Sequence, residues 1–398
     1  MAHTHTDSDA VAMKPLLILA DDLTGAADSA ARCRHAGFSA AIFLQPPQPP
    51  LPADANALTS DSRHLPAHDA AQRVRAVAAP LADLDARWYK KIDSTLRGNL
   101  GSELDALLDL EIGDCAVICP AFPAQGRALI DGSLIAPGVS AQVHLPTLLA
   151  AQSRRAVAHL SLAEVRSDSA ARRLHEISAS GAQLIVADAA QDADLEAVLT
   201  AVDAATPKTL LCGSAGLIGA WAAREAKAAA RSVPVPQIET SPTKDAACLL
   251  VIGSGSSMAQ RQIETLLAQR TVTAWTVAPD VTCDGAGDTM LLCLPSPAAG
   301  AVLDGPQARA LAAQLADAAV QVIKRTAPSS LVLSGGDTAM HVLARLGVER
   351  LTVITELLPG MPLCTAVDSQ DRAYRIVLKP GSFGTEDTLI TLLELIRN

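Results

Sequence analysis

The 398-residue sequence is short of positive charge: 32 Lys and Arg stand against 42 Asp and Glu, a formal net charge of −10. No basic stripe is left over to neutralise phosphates, which argues against a nucleic-acid partner. Paired cysteines are missing too. The eight cysteines fall singly at 33, 115, 119, 212, 248, 283, 293 and 364, several inside apolar runs, with none of the CxxC pairs of a zinc or redox motif. They are expected to be buried free thiols in a reducing cytoplasm, and no metal site is expected from side chains alone. No apolar stretch reaches the roughly 18 uninterrupted residues of a membrane span, and no charged-then-apolar leader opens the chain. The expectation is a soluble, cytoplasmic protein with no membrane partner. Neither GxxxxGK(S/T) nor a strand-linked GxGxxG with an acid about twenty residues on is present, so a P-loop or dinucleotide fingerprint cannot be claimed.

What the chain does have is apolar bulk, 49% of its residues, which is ample for packed cores in two or three domains. Residues 1–13 are polar and read as a loose arm. Three prolines and polar neighbours between Ser232 and Pro242 cannot hold a helix, so 232–244 reads as a linker between an N-terminal domain at 14–231 and a C-terminal domain at 245–398. Strand-like runs alternate with helical ones in both. Leu16 to Ala20, Trp88 to Ile92, Cys115 to Cys119, Leu184 to Ala187 and Thr209 to Cys212 read as strands, and Leu100 to Leu110 and Ala215 to Ala230 as helices. The alternation predicts an α/β fold of two domains, each a mostly parallel sheet flanked by helices, with the active site in the cleft between them. Asp131-Gly132 between short apolar runs is instead a hairpin signal.

Two stretches concentrate acid, base and hydroxyl where packing does not require them: Ala20-Asp21-Asp22-Leu23-Thr24-Gly25, and the run from Lys90 to Asn99. The first follows a strand and precedes a helix, which puts its aspartates at a strand's carboxyl end, where open α/β sheets bind ligands. The C-terminal domain repeats one local design. Cys248 to Ile252 leads into Gly253-Ser254-Gly255-Ser256 and a helix from about Met258, and Leu331 to Leu333 leads into Ser334-Gly335-Gly336-Asp337-Thr338 and a helix from about Ala339. Such loops bring backbone N–H groups and a helix dipole against a phosphate. Leu358 to Pro362 and Lys379 to Gly384 offer two further glycine turns. Asp284-Gly285-Ala286-Gly287-Asp288 resembles the Gly-Ala-Gly-Asp of ribokinase-type kinases, but the residues after it read as a strand, so the required helix start is missing.

Taken in order, the motifs resemble the four-carbon acid sugar kinase family. The resemblance is carried by ADDLTGAADSA at Ala20 to Ala30, TSDSR at Thr59 to Arg63, KKIDSTLRGN at Lys90 to Asn99 and CPAFPAQGR at Cys119 to Arg127. It continues in GSAGL at Gly213 to Leu217, IGSGSS at Ile252 to Ser257, LSGGDTA at Leu333 to Ala339 and KPGSFG at Lys379 to Gly384. It implies a sugar-binding N-terminal domain, a nucleotide-binding C-terminal domain, and ATP-dependent phosphorylation of the terminal hydroxyl of threonate, erythronate or 3-oxotetronate. Gly335-Gly336-Asp337-Thr338, where relatives carry Gly-Gly-Glu-Thr, tilts the reading towards D-threonate. The partners so implied are an acid sugar, ATP and Mg²⁺; a homodimer is one option that the sequence leaves open.

The residue chemistry suits that reaction. Arg63, Lys91 and Arg97 can offer cations to a carboxylate, while Asp22, Asp93, Ser94 and Thr95 can grip hydroxyls. Alternation along a strand gives Lys91 and Asp93 one face and turns Lys90 away. Asp22 is the candidate to accept or orient the reacting hydroxyl's proton, or else an N-cap for the helix from Leu23. Asn99 reads as a cap, and Cys119, Phe122 and Pro123 as pocket wall, with Arg127 a lesser contact. Ser254, Ser256, Gly335, Gly336, Asp337, Thr338, Gly360, Gly381 and Gly384 are the expected nucleotide contacts, Asp337 also serving to hold Mg²⁺ through water or to cap its helix. Hinge closure about 232–242 would assemble the site. A dinucleotide-dependent oxidoreductase and a non-catalytic sugar-acid sensor are the rival classes.

Overall fold

The computed structural model describes residues 13–137, 143–205, 208–231, 247–277, 285–295 and 305–397. Its organising feature is one sheet of fifteen strands that runs through both halves of the chain. From the C-terminal edge the order is Thr273–Thr276, Thr289–Cys293, Cys248–Ile252, Ser330–Ser334, Ala373–Lys379, Met361–Val367 and Arg350–Leu358. It continues through Ala40–Phe43, Ala55–Thr59, Leu16–Ala20, Arg87–Lys91, Thr209–Gly213, Cys115–Cys119, Leu184–Ala187 and Val157–Leu160. Most pairings are parallel, and the strands read as continuous apolar runs because helices cover both faces. Leu16–Ala20 is buried along its whole length. Each fully buried leucine in such a strand contributes about 1.5–3 kcal/mol over an exposed one.

The expectation of two separate sheets therefore needs correcting. Arg350–Leu358 pairs antiparallel with Ala40–Phe43, with Arg350 opposite Phe43, Leu351 opposite Ile42 and Thr352 opposite Ala41. That seam joins the domain sheets edge to edge. Alternation sorts the side chains: Leu16, Ile18 and Ala20 enter an apolar core that extends through both halves to Leu249, Val251, Leu331 and Leu333. Leu17 and Leu19 face a second core confined to the N-terminal half, and Leu250 and Val332 a third in the C-terminal half. The seam was not legible because Ala40–Phe43 is four residues long and Arg350–Leu358 reads as a local strand with no visible partner.

Most predicted elements stand within a residue or two. The hairpin forms from Ala128–Ile130 and Ser133–Ile135, with Asp131 and Gly132 at φ 49° and 68°, the positive pair that a tight hairpin turn needs. Thr289–Cys293 is a strand, as read; Asp284 of the ribokinase-like motif lies outside the described residues, as do 232–244 and the hinge expected there. The helix after Ser334 starts earlier than expected, at Gly336, so Asp337 and Thr338 belong to its first turn. Asn99 occupies the N-cap position of Leu100–Asp109 but makes no capping bond. Its amide donates instead to the carbonyls of Leu65 (2.8 Å) and Ser62 (3.3 Å), while Gln152 Oε1 accepts from Gly101 N–H at 3.0 Å. All seven described cysteines are buried and free, and burial pushes the Cys33 and Cys212 thiols up to about 12.

Candidate active site

At the carboxyl ends of the strands a cavity of about 600 Å³ is lined by both halves of the chain. The N-terminal wall is built from three strand ends. After Ala20, Asp22 caps the helix Leu23–His35: its Oδ1 accepts from Gly25 N–H at 2.7 Å and its Oδ2 from the Thr24 hydroxyl at 2.7 Å. After Thr59 the chain turns through Asp61, at φ 48°, and delivers Arg63. Arg63 grips Asp21 with two parallel bonds, Nε to Oδ2 at 2.7 Å and Nη2 to Oδ1 at 2.8 Å, and reaches Asp22 Oδ2 through Nη1 at 2.5 Å. Its side chain is 9% exposed, so it is no solvated surface charge. Burial pushes the Asp21 carboxyl up, but the adjoining Arg63 guanidinium and the Lys90 and Lys91 ammoniums outweigh it and hold Asp21 below the usual carboxylate range. Asp22 thus caps and lines the cavity at once, whereas Asp21 is a buried anchor for Arg63.

After Lys91 the third strand end places Asp93, Ser94, Thr95 and Arg97 on the cavity wall. Arg97 forks onto Asp93, Nε to Oδ2 at 2.6 Å and Nη2 to Oδ1 at 3.1 Å, and the Thr95 hydroxyl donates to the same carboxylate at 2.5 Å. Burial raises the Asp93 pKa, and Arg97 and Arg63 more than reverse it, leaving the group well below the usual range. Lys91 lines the cavity; Lys90 points the other way into a fully buried pair with Glu103 Oε2 at 2.7 Å. Glu103 also accepts from the Ser62 hydroxyl at 2.6 Å, so this hidden pair braces the loop that carries Arg63. The Lys90 ammonium is desolvated, yet Glu103 holds its pKa above the ordinary value.

Sequence reasoning left Thr24, Asp28, Asp61 and Gln125 out of this wall and gave Arg127 too little weight. Arg127 bonds the Ser94 hydroxyl. Among the described residues, neither Lys91 nor Arg127 has a carboxylate within ion-pair distance; Lys91 Nζ donates to the Ile92 carbonyl at 2.8 Å. The signal for Arg127 was present in the run CPAFPAQGR, but its cation sits beyond a one-turn helix at Pro123–Gln125 and no periodicity predicts its reach.

The opposite wall comes from the C-terminal half. Gly253, Ser254, Ser256, Gly335, Gly336, Asp337, Thr338, Gly381 and the adjoining Pro380, Ser382 and Phe383 line it. Ser256 caps the helix Ser257–Gln269 through Ala259 N–H (3.2 Å) and donates to the Gly381 carbonyl at 3.2 Å, which ties the two small-residue loops together. Glycine is required at 335, where φ is +104°, and at 381, where a β-carbon would lie 2.3 Å from Ser254 Oγ. The start of the helix Gly336–Leu346 faces the N-terminal wall directly: a β-carbon at Gly336 would stand 3.6 Å from Thr24 and 3.7 Å from Asp22 Oδ2. Gly360 and Gly384 do not line the cavity. Gly360, at φ 74°, is the turn between two antiparallel strands, and Gly384 packs against Thr388. Lys379 is buried, donates to the carbonyls of Pro380 (3.1 Å) and Gly381 (3.3 Å), and is pushed down to about 8 by burial. No described helix is long and apolar enough to cross a membrane.

Residues 16–221 match the sugar-binding N-terminal domain family and residues 296–389 the nucleotide-binding C-terminal domain family. A D-threonate kinase from Bordetella bronchiseptica is 31% identical over 96% of this chain and 97% of its own length, and one from Cupriavidus necator is 31% identical over 94% and 96%. A D-erythronate kinase from Heliobacterium modesticaldum is 28% identical over 96% and 97%. A crystal structure of a Haemophilus influenzae protein, 23% identical, shares the fold with a TM-score of 0.71 over 96% of this chain and all of that one. On the two domain matches and the full-length identity to the Bordetella enzyme, the chain belongs to the four-carbon acid sugar kinase family and is a kinase.

Proposed function

We propose that the protein transfers the γ-phosphoryl group of ATP to the terminal hydroxyl of a four-carbon acid sugar, with D-threonate as the substrate and 4-phospho-D-threonate as the product. The observation that carries the reading is the face-to-face placement of Asp22 and Thr24 against the Gly335-Gly336 helix start across one cavity. A helix N-terminus with about half a unit of positive charge suits a phosphate. A cluster of hydroxyl-gripping aspartates, and two cations with no carboxylate partner among the described residues, suit a hydroxylated anion. Lys91 and Arg127 are then the groups that take the substrate carboxylate, because Arg63 and Arg97 are already committed to Asp21, Asp22 and Asp93.

Phosphoryl transfer passes through a loose transition state, so the protein mainly places the hydroxyl in line with the γ-phosphate and supplies charge around it. Positioning contributes about 7–11 kcal/mol, against about 10²–10⁴-fold for a general base. Asp22 fits the positioning role. Three of its roughly four acceptor directions are taken by Gly25, Thr24 and Arg63, which locks the carboxylate and leaves one for the substrate hydroxyl. The oxygen donors Asp337 and Asp61, both on the cavity wall and without a hydrogen bond to their carboxylates among the described residues, fit Mg²⁺ held by one or two carboxylates together with phosphate oxygens. When bound there, the ion would neutralise charge on the transferring phosphates. D-threonate is favoured by the 31% identity to two D-threonate kinases and by Asp337 in the Gly-Gly-Asp-Thr loop. ADP release measured with D-threonate, L-threonate, D-erythronate and 3-oxotetronate tests the reading. D-threonate is expected to give the highest kcat/KM, and absence of ADP release with all four would overturn it.

A further inference from the structure

Asp28 is the one buried acid of the cavity wall whose carboxylate accepts no hydrogen bond among the described residues; Asp61 and Asp337, likewise without one, are only half-buried. It stands on the helix Leu23–His35, one turn beyond Thr24 and Gly25 and on the same face, and lines the cavity with them. The residue is 8% exposed, its Oδ1 is buried, and neither carboxylate oxygen accepts a hydrogen bond among the described residues. Its nearest cation is Arg32, with Nε at 3.6 Å, and Arg32 is shared with Glu356 at 3.4 Å and lies over the Phe122 ring. The cover over Asp28 comes from the other half of the chain: a β-carbon on Gly360 would lie 3.9 Å from Oδ1. Burial raises its pKa, and so does Glu356, against the lowering pull of Lys91, Arg32 and Arg127.

A buried carboxylate without a hydrogen bond costs stability, and replacing such a group by a neutral one is usually harmless to the fold. The charge is therefore expected to earn its place through a ligand. The three cations around it offset the repulsion that a second anion would bring to the cavity, and it stands one helical turn past Thr24, away from the cap at Asp22. We infer that Asp28 is a specificity-determining residue whose carboxylate accepts a hydrogen bond from an internal hydroxyl, at C2 or C3, of the bound acid sugar. The inference rests on the substrate class proposed above and deepens it. A site built around a buried acceptor rejects an analogue lacking the donor far more strongly than a lost apolar contact would.

The test is a cycle of kcat/KM values by ADP release, for wild type and Asp28→Asn, on D-threonate, 3,4-dihydroxybutanoate (no C2 hydroxyl) and 2,4-dihydroxybutanoate (no C3 hydroxyl). In the wild type, one of the two deoxy acids is expected to fall about tenfold or more below D-threonate. In Asp28→Asn, D-threonate itself falls by about that factor, the deficit of that deoxy acid shrinks towards unity, and the urea midpoint does not fall. Equal losses on all three substrates, or an unchanged deficit, overturn the inference. If the variant does not fold, Asp28→Glu carries the same cycle, and in the wild type two deoxy acids as good as D-threonate overturn the inference. Failure of the wild type with every four-carbon acid overturns the substrate reading instead, so the two failures are told apart.

Discussion

Asp22→Asn separates what this residue does for the fold from what it does for turnover. Asparagine caps a helix as well as aspartate does, so the bond from Gly25 N–H to Oδ1 is kept and the start of Leu23–His35 should hold. The loss falls on Arg63 Nη1 and the Thr24 hydroxyl: with the amide oxygen kept for the cap, an NH2 donor replaces Oδ2, so Nη1 loses its acceptor while Nε and Nη2 keep their two bonds to Asp21. A hydrogen bond to a charged group is worth about 1.5–3 kcal/mol, so the cost in stability should be of that order and well short of unfolding the chain. Turnover is a different matter. The carboxylate stands against the phosphate-loop helix, with Oδ2 3.7 Å from where a β-carbon at Gly336 would lie, and a neutral amide there cannot hold the hydroxyl proton, so kcat should fall by at least about 10²-fold. Urea unfolding, ADP affinity by calorimetry and ADP release at saturating ATP measure the three quantities on one preparation. A variant with near-normal kcat and intact ADP binding would refute the role given to Asp22; a collapse of stability would show that the capping argument is wrong.

Arg63→Met strips the buried Asp21 of its bidentate partner and should cost about 3–5 kcal/mol in urea unfolding, with Asp21→Asn in the same chain recovering a large part. Full additivity of the two would contradict the coupling. Lys379 bears on stability at alkaline pH. Its pKa is about 8 when folded and ordinary when unfolded, so between about pH 8 and 10.5 the unfolded chain holds a proton that the folded one has released. Stability contributed by this site should rise with pH across that window, by at most about 1.4 kcal/mol per unit, and the difference between wild type and Lys379→Met should show it. A flat difference curve would remove the shift. Gly335→Ala forces a side chain to φ +104° and should cost about 1–3 kcal/mol while weakening ADP binding; unchanged ADP affinity would place the phosphates elsewhere.

Local chemistry was legible in the sequence and long-range pairing was not. The strand ends at Ala20 and Lys91, the hairpin at Asp131-Gly132 and the small-residue loops at Gly253 and Gly335 could all be read because apolar period, turn residues and helix starts lie within a few positions of one another. Alternation along Arg87–Lys91 was enough to turn Lys91 to the cavity and Lys90 to Glu103. The seam between Ala40–Phe43 and Arg350–Leu358 joins residues some three hundred positions apart through backbone bonds that carry no side-chain signature. For the same reason Asp28 and Arg127 were underrated: one looks like an ordinary polar residue of an Ala-rich helix, and the other owes its place to the fold of the Phe122 to Arg127 turn. Gly360 shows the converse error, since a glycine turn looks alike whether it closes a hairpin or holds a phosphate.

The central claim is that one cavity brings an acid sugar on the N-terminal wall to the γ-phosphate on the C-terminal wall. A crystal structure with a non-hydrolysable ATP analogue and D-threonate tests it most directly. The account predicts the γ-phosphate at the N–H groups of Gly335 to Thr338, the sugar carboxylate at Lys91 and Arg127, and the terminal hydroxyl beside Asp22 about 3–3.5 Å from the phosphorus. A nucleotide seated on the N-terminal half, or two ligands held too far apart for transfer, would contradict it.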